Sequence, residues 1–276
     1  MHVLAFVNEK GGCGKTTTTV HLAGALARAG HRVLAVDLDP QAHATMGLGV
    51  GVQDGGPTVA DVLLGRAPLL TAVREVPGAF GLRLVPSSAV LAEFEESADR
   101  ELEPERRLSR ELAAVRGEFD FVLVDCPPRA GGVLAANALC AADTAVLVVE
   151  AGAFALQGAI KACAILEEAA RLQGSEFDVR VLGTMFDRRT RFARELLIAM
   201  HARFGERMYD TVIRTSVRLR EAAASGQVVH ALDPRSRAAS DFSALEAEVV
   251  REANELTAVR EAILRRRAAV VTGTRA

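Results

Sequence analysis

The stretch Asn8-Glu9-Lys10-Gly11-Gly12-Cys13-Gly14-Lys15-Thr16-Thr17 decides the fold predicted for this chain of 276 residues. It follows the apolar run 3–7 and precedes residues 18–29, whose spacing predicts a helix. Glycines between a strand and a helix let the backbone bend and bring its N–H groups close to phosphate oxygens, and the helix N-terminus adds further donors. We therefore predict a phosphate-binding loop, in which Lys15 reaches the β- and γ-phosphates and Thr16 holds a magnesium ion.

Two lysines distinguish this loop from the general pattern G-x-x-x-x-G-K-[ST]. That pattern has a glycine five residues before Gly14, where this chain has Glu9. Of the 33 basic residues, three are lysines, namely Lys10, Lys15 and Lys161. Because a compact ammonium suits a crowded phosphate better than a planar guanidinium, two lysines in one loop support the prediction.

Short apolar runs alternate with helical stretches along the chain. The strand-like runs are residues 33–36, 82–85, 121–124, 145–149, 179–183 and 211–213. The helical stretches are residues 105–115, 133–141, 156–172 and 190–204. Near-continuous apolar strands are typical of a sheet buried on both faces. The alternation predicts a doubly wound α/β fold, with a mostly parallel sheet and helices on both faces. We expect a single domain over residues 1–276, with a C-terminal helix over about 243–268 and a frayed tail at 269–276.

The composition narrows the classes of function. A formal net charge of −2 gives no global attraction to nucleic acid, so any basic surface must be local. The four cysteines form no C-x-x-C pair, which favours a reducing, cytoplasmic setting. No apolar run reaches the ~18 residues of a membrane span, and we expect no membrane partner. Because aromatic residues make up 4% of the chain, stacking platforms for single-stranded nucleic acid are not expected.

Carboxylates follow two of the predicted strands. Residues 34–36 lead into Asp37 and Asp39, and residues 121–124 lead into Asp125 in the Walker B form. Acids at the carboxyl end of a strand can hold magnesium through water or orient an attacking water. Because ligands of doubly wound sheets lie at this edge, we expect these side chains beside the loop.

Together these stretches resemble the ParA/Soj family of deviant-Walker ATPases, which partition bacterial chromosomes and plasmids and are related to MinD. The resemblance runs from residue 3 to about residue 250. Beyond the loop and the aspartates, the matching stretches are Ala155-Leu156-Gln157-Gly158, Met185-Phe186-Asp187, residues 217–222 and residues 233–236. The resemblance implies a P-loop ATPase that binds ATP or ADP with Mg²⁺.

The family resemblance also implies roles for individual residues. In that family ATP induces a sandwich homodimer, so Lys10 would act on the partner's phosphates and Lys15 on the chain's own, while Asp39 orients the hydrolytic water. The implied nucleotide-binding residues are Lys10, Gly11, Gly12, Cys13, Gly14, Lys15, Thr16, Thr17, Met185 and Phe186. The implied magnesium residues are Thr16, Asp37, Asp39 and Asp125. Hydrolysis would be slow and stimulated by a ParB-like centromere-binding partner.

A basic segment supports DNA binding independently of the resemblance. Residues 188–220 contain nine arginines and three acidic residues. Such a patch would bind double-stranded DNA through its phosphates, without sequence specificity and with strong dependence on salt. The candidate contacts are Arg188, Arg189, Arg191, Arg214, Arg218 and Arg220. A chain that binds DNA in this way would be associated with the nucleoid.

Three alternatives stay open. A MinD-like membrane-associated positioning ATPase needs a C-terminal amphipathic helix; residues 261–267 are basic, but residues 268–276 show no bulky apolar face. An iron–sulfur electron carrier related to nitrogenase iron protein needs a suitably placed cysteine pair, and a metabolic phosphotransferase needs an acceptor motif. The adenine contacts also stay open, because residues 221–225 lack a proline that the family commonly has there.

Overall fold

The computed structural model describes residues 1–51, 55–100, 102–129 and 131–273, with side chains up to residue 262. The strands are β1 His2–Val7, β2 Val33–Asp37, β3 Arg74–Glu75, β4 Leu82–Val85, β5 Phe121–Asp125, β6 Thr144–Glu150, β7 Asp178–Phe186 and β8 Ile213–Arg214. They form a sheet with the order β3-β4-β2-β5-β1-β6-β7-β8. Every pairing is parallel except that of β3 with β4, which is antiparallel.

Helices connect the strands across both faces of the sheet. They are α1 Lys15–Arg28, α2 His43–Gly47, α3 Val59–Leu63, α4 Leu69–Ala72, α5 Leu91–Ser97, α6 Arg107–Ala114, α7 Val133–Ala141, α8 Ala155–Gln173, α9 Arg191–Phe204, α10 Val217–Ala224, α11 Val229–Leu232 and α12 Arg237–Gly273. Short 3-10 segments lie at Ala98–Arg100, Pro104–Arg106 and Gly205–Arg207.

Alternate residues of the central strands face two separate apolar cores. In β1, Val3 and Ala5 pack in the core that is covered by α3 to α9. Leu4 and Phe6 pack in the other core, against α1, α2, α10, α11 and α12. Because both faces of the strands are buried, their sequences are apolar throughout rather than alternating. The predicted doubly wound fold is confirmed.

The C-terminal helix is longer than the sequence suggested. It begins at Arg237 rather than near residue 243, because the Ser236 hydroxyl accepts a hydrogen bond from the Ala239 N–H at 3.1 Å and caps the helix. It continues to Gly273, so residues 269–273 of the expected frayed tail are helical; residues 274–276 lie outside the described residues. In the described part of the chain, no helix has both the length and the apolar character needed to cross a bilayer.

A close contact between two glycines joins the loop after α2 to the turn after α10. Gly49 and Gly226 both have positive φ, +69° and +64°. A Cβ atom on Gly226 would lie 2.7 Å from the Cα atom of Gly49, and one on Gly49 would lie 2.7 Å from the Gly226 carbonyl oxygen. The two backbones can therefore approach this closely only without side chains, and the contact fixes α2 relative to α10.

We expect Gly226→Ala to lower the free energy of unfolding by about 2–4 kcal/mol. The positive φ costs roughly 1–2 kcal/mol for a residue with a Cβ atom, and overlap with the Gly49 backbone adds about 1–2 kcal/mol. Gly174→Ala is the matched control, because Gly174 has φ +60° with no atom within 4 Å of an added Cβ. This variant should lose only the roughly 1–2 kcal/mol of unfolding free energy that the positive φ costs. Urea unfolding followed by circular dichroism measures both variants, and equal losses would contradict the close contact.

Candidate functional site

The turn between β1 and α1 depends on glycines in the left-handed region. Gly12 has φ +77°, and Gly14, immediately before the first residue of α1, has φ +97°. The peptide between them is anchored, since the Thr184 hydroxyl donates a hydrogen bond to the Cys13 carbonyl oxygen at 2.7 Å. Cys13 is completely buried, and its side chain packs in the core that α1 covers.

The Lys15 ammonium is enclosed by the loop that precedes it. Its Nζ atom donates to the carbonyl oxygens of Asn8 at 3.0 Å and Lys10 at 3.3 Å, and the residue is 6% exposed. The Asn8 side chain donates to the Val148 carbonyl at 2.6 Å and accepts from the Lys10 N–H at 2.9 Å, which ties the loop to β6. A cation held in this way inside a glycine-rich turn is the arrangement that cradles a phosphate group.

The second lysine of the loop lies elsewhere. The Lys10 ammonium forms an ion pair with the carboxylate of Glu150, the last residue of β6. Its side chain is 60% exposed, and Lys10 does not line the cleft that contains Lys15. The structure therefore separates the two lysines, with Lys15 inside the loop and Lys10 on its outer side.

The strand register brings two carboxylates together. Asp37 and Asp125 are directly paired at the ends of β2 and β5, and both are fully buried. Asp125 Oδ1 accepts a weak hydrogen bond from Thr19 at 3.4 Å, while its Oδ2 has no hydrogen-bond partner among the described residues. Burial and the Asp37 carboxylate raise the pKa of Asp125 well above its usual value, and a hydrogen bond from Thr16 opposes them. An unpartnered buried carboxylate oxygen next to a hydroxyl and a second carboxylate fits the donor set of Mg²⁺.

Asp37 is held by a network that fixes the chain after β2. Its carboxylate accepts hydrogen bonds from the Thr45 N–H at 2.8 Å, the Thr45 hydroxyl at 2.7 Å and the Asp39 N–H at 3.1 Å. Burial nevertheless raises its pKa to about 6. The Ser87 hydroxyl donates to the Asp39 carbonyl at 2.7 Å, so the segment between β2 and α2 is also fixed from the loop that follows β4.

An open cleft of about 600 Å³ lies over the loop and collects these groups. Its walls include the loop glycines, Lys15, Thr16 and Thr17 on one side and Asp39 on another. Asp39 is therefore the aspartate that faces the cleft directly, whereas Asp37 and Asp125 lie beneath its floor. The structure thus brings together the predicted loop and all three predicted aspartates.

The two predicted nucleotide contacts in β7 are separated by an irregularity in the strand. The pairing of β7 with β8 shifts between Thr184 and Phe186, and Met185 between them has φ +58°. Met185 is 42% exposed and lines the cleft. Phe186 is 1% exposed and packs in the core. The Phe186 side chain therefore lies away from the cleft that Met185 lines, because the bulge turns Met185 outward and leaves Phe186 inside. A nucleotide contact of Phe186 stays a prediction.

The six candidate arginines also separate into two groups. Arg214 binds the buried Asp241 carboxylate through Nε at 3.0 Å and Nη2 at 2.5 Å, so it serves the fold and is a poor DNA contact. The other five side chains are exposed. Arg189, Arg191 and Arg218 form surface ion pairs with Asp187, Glu195 and Glu221. Such exposed pairs are worth about 0–1 kcal/mol, so a phosphate can compete for these arginines.

Several residues that support the site were not predicted. Thr45 and Ser87 position Asp37 and Asp39, Thr184 anchors the loop, and Glu150 binds Lys10. None belongs to a motif with fixed spacing, and each acts through a contact that is distant in sequence. Glu150 had the clearest signal, since an acid at the carboxyl end of a predicted parallel strand lies at the ligand edge.

Comparisons with known proteins agree with this geometry. A sequence-family profile described as an AAA domain matches residues 1–179. The chain is 36% identical to the chromosome partitioning protein ParA of Caulobacter vibrioides over 255 residues, which cover 91% of this chain and 94% of that protein. It is also 36% identical to the sporulation initiation inhibitor protein Soj of Bacillus subtilis, with 90% of this chain and 97% of that protein covered.

A solved structure with a bound nucleotide analogue has the same architecture. Cobyrinic acid a,c-diamide synthase from Mycobacterium smegmatis with bound ATP analog and magnesium superposes with a TM-score of 0.76 at 28% identity. The alignment covers 91% of this chain and 94% of that one. Because one fold can carry different reactions, the sequence relatives rather than this neighbour identify the family. Their identity and coverage, together with the loop and its aspartates, show that the chain belongs to the ParA/Soj family of P-loop ATPases.

Proposed function

We propose that this chain is a DNA-partition ATPase, which binds Mg-ATP and forms a nucleotide sandwich dimer that binds DNA without sequence specificity. Slow ATP hydrolysis then releases the protein from DNA. The observation that carries the proposal is the division of the two loop lysines. Lys15 lies in the cleft with Asp39, while Lys10 lies outside that cleft, where a second chain could meet it. The name of the relative ParA, a chromosome partitioning protein, supports a role in chromosome partition.

The cleft fits a magnesium-bound nucleoside triphosphate. Residues 11–17 and the Lys15 ammonium would hold the phosphates. A related structure with the same fold contains a bound ATP analog and magnesium, which supports this ligand class. Thr16, Asp37 and Asp125 would hold Mg²⁺, directly or through water, and the unpartnered Oδ2 of Asp125 supports this assignment. The cation would supply charge neutralisation at the phosphates, and it would also favour the ionised form of the two buried carboxylates.

Asp39 is the residue best placed to orient water for hydrolysis. Its carboxylate accepts a hydrogen bond from the Gln41 N–H at 2.9 Å and is 8% exposed, so it faces the cleft in a fixed position. Phosphoryl transfer depends on positioning the nucleophile and on neutralising the phosphate oxygens, and a rigid carboxylate can position a water molecule by accepting its proton in a hydrogen bond.

Lys10 would complete the charge neutralisation from the partner chain. In the single chain its ammonium is bound to Glu150 and does not reach the cleft. A lysine supplied by a second chain acts as an arginine finger does, because it adds positive charge where the transition state spreads negative charge. Hydrolysis would then require dimerisation, which suits a switch that a ParB-like centromere-binding partner discharges.

We expect Asp39→Ala to reduce ATP turnover by about 100-fold or more while ATP affinity stays within about threefold, since the carboxylate acts on water rather than on the nucleotide. Lys15→Ala should instead abolish ATP binding. Phosphate release and isothermal titration calorimetry measure the two effects. Asp99→Ala, at an exposed carboxylate outside the cleft, is the control and should change neither. Loss of ATP binding in Asp39→Ala would show that Asp39 has a structural role.

The DNA surface can be tested with paired arginine variants. We expect Arg188→Ala/Arg220→Ala and Arg189→Ala/Arg218→Ala each to weaken ATP-dependent DNA binding about 10-fold or more, and to reduce the slope of log K against log salt by about two, since each arginine neutralises one phosphate. Fluorescence anisotropy with a DNA duplex of arbitrary sequence at several salt concentrations measures this. ATP binding should not change.

Arg66→Ala/Arg110→Ala is the matched control for the DNA experiment, because both arginines are exposed, carry surface ion pairs and lie outside residues 188–220. It should retain full DNA affinity. If the wild-type chain sediments with anionic liposomes in ATP and does not retard DNA, the MinD-like alternative would replace the partition role.

A further inference from the structure

The cleft contains a histidine to which neither the loop pattern nor the aspartates assign a role. His43 is exposed, is the first residue of α2 and lines the same cleft as Lys15 and Asp39. Among the described residues that line this cleft, Lys15 and His43 are those whose side chains can carry a positive charge. Lys15 is already enclosed by the loop carbonyls, whereas the imidazole of His43 is accessible from the cleft.

The backbone before His43 is held in an unusual conformation. Ala42 has φ +55° and ψ +33°, a left-handed geometry that costs a residue with a Cβ atom roughly 1–2 kcal/mol. The Ala42 N–H donates to the Asp39 carbonyl at 2.8 Å, which closes a tight turn between Asp39 and α2. Strained backbone of this kind clusters at ligand sites, where the surrounding structure imposes it.

The residues after His43 are fixed just as firmly. The Thr45 N–H and hydroxyl both donate to Asp37, and the Thr45 hydroxyl accepts from the Ser87 N–H at 3.0 Å. His43 therefore lies between two anchored positions, and its side chain enters the cleft from a rigid segment. Preorganised donors of this kind lose little conformational entropy when they bind an anion.

The position of His43 along the cleft indicates which part of a nucleotide it would meet. It directly follows Ala42, whose N–H closes the tight turn that begins at Asp39. Asp39 is the proposed partner of the hydrolytic water at the terminal phosphate. On the basis of the proposed function, we propose that His43 donates a hydrogen bond to the terminal phosphate of the bound nucleoside triphosphate. In this role it distinguishes a triphosphate from a diphosphate, which lacks that group.

The test compares the affinities of a slowly hydrolysed ATP analogue and of ADP, both with Mg²⁺, by calorimetry. His43→Ala should weaken binding of the analogue about 10-fold and leave ADP affinity within about twofold, since a charge-assisted hydrogen bond to one phosphate is lost. In steady-state hydrolysis kcat/KM for ATP should fall about 10-fold or more, since the contact is made to the phosphate that is transferred. His43→Asn retains a side-chain donor and should recover part of the analogue affinity. His201→Ala, on α9 and outside the cleft, is the control and should change neither affinity.

Two outcomes would overturn this role. Equal loss of affinity for the analogue and for ADP would mean that His43 supports the fold or contacts a part that both nucleotides share. Unchanged affinity for both would mean that it contacts neither. The proposed function is tested separately, because it would be contradicted if Lys15→Ala still bound ATP. If Lys15→Ala loses ATP binding while His43→Ala keeps full affinity for the analogue, only the histidine contact is refuted.

Discussion

The parallel register of β1, β2 and β5 is the constraint on which the site depends. It places both Asp37 and Phe6 opposite Asp125. The loop that follows β1 therefore begins beside the ends of β2 and β5, where the two carboxylates lie. A shift of one residue in either pairing would turn a carboxylate to the other face of the sheet. Because each face packs in its own apolar core, such a shift would also exchange side chains of different size between the two cores, and packing therefore fixes the chemistry at the edge.

The charged groups at the carboxyl edge of the sheet suit a ligand that carries both positive and negative charges. Two buried carboxylates have raised pKa values, and an oxygen of Asp125 has no partner among the described residues, so the floor of the cleft favours a cation. The loop above it offers Lys15 and the backbone of a glycine-rich turn, which favour an anion. A magnesium-bound polyphosphate would satisfy both at once. Lys10, with its ion pair to Glu150, lies outside this arrangement.

The sequence alone predicted the features that rest on periodicity and on fixed spacing. The apolar runs predicted most strands within one or two residues. The loop and the three aspartates lie together at the carboxyl edge of the sheet, as their positions directly after predicted strands indicated. The short helices α2 to α5 and the two-residue β3 were missed, since each is too short to establish a period. The burial of Phe186 was missed because a β-bulge at Met185 interrupts the alternation, and no residue type signals it.

The remaining differences between the sequence-based expectations and the structure come from contacts between residues that are distant in sequence. Arg214 belongs to a basic segment by composition, yet it binds Asp241 on α12, and only the packed helix shows this. Thr45 and Ser87 hold the aspartates through contacts with other elements. The left-handed Ala42 could not be foreseen either, because alanine rarely adopts that conformation and the surrounding hydrogen bonds impose it.

The oligomeric state with and without the terminal phosphate tests the proposed division of the two lysines most directly. Sedimentation velocity would be measured with Mg²⁺ and either ADP or a slowly hydrolysed ATP analogue, each at a saturating concentration. The proposed role of Lys10 predicts a dimer with the analogue and a monomer with ADP. Lys10→Ala should still bind the analogue but stay monomeric. A wild-type chain that remains monomeric with the analogue, or a Lys10→Ala chain that dimerises as well as the wild type, would contradict that role.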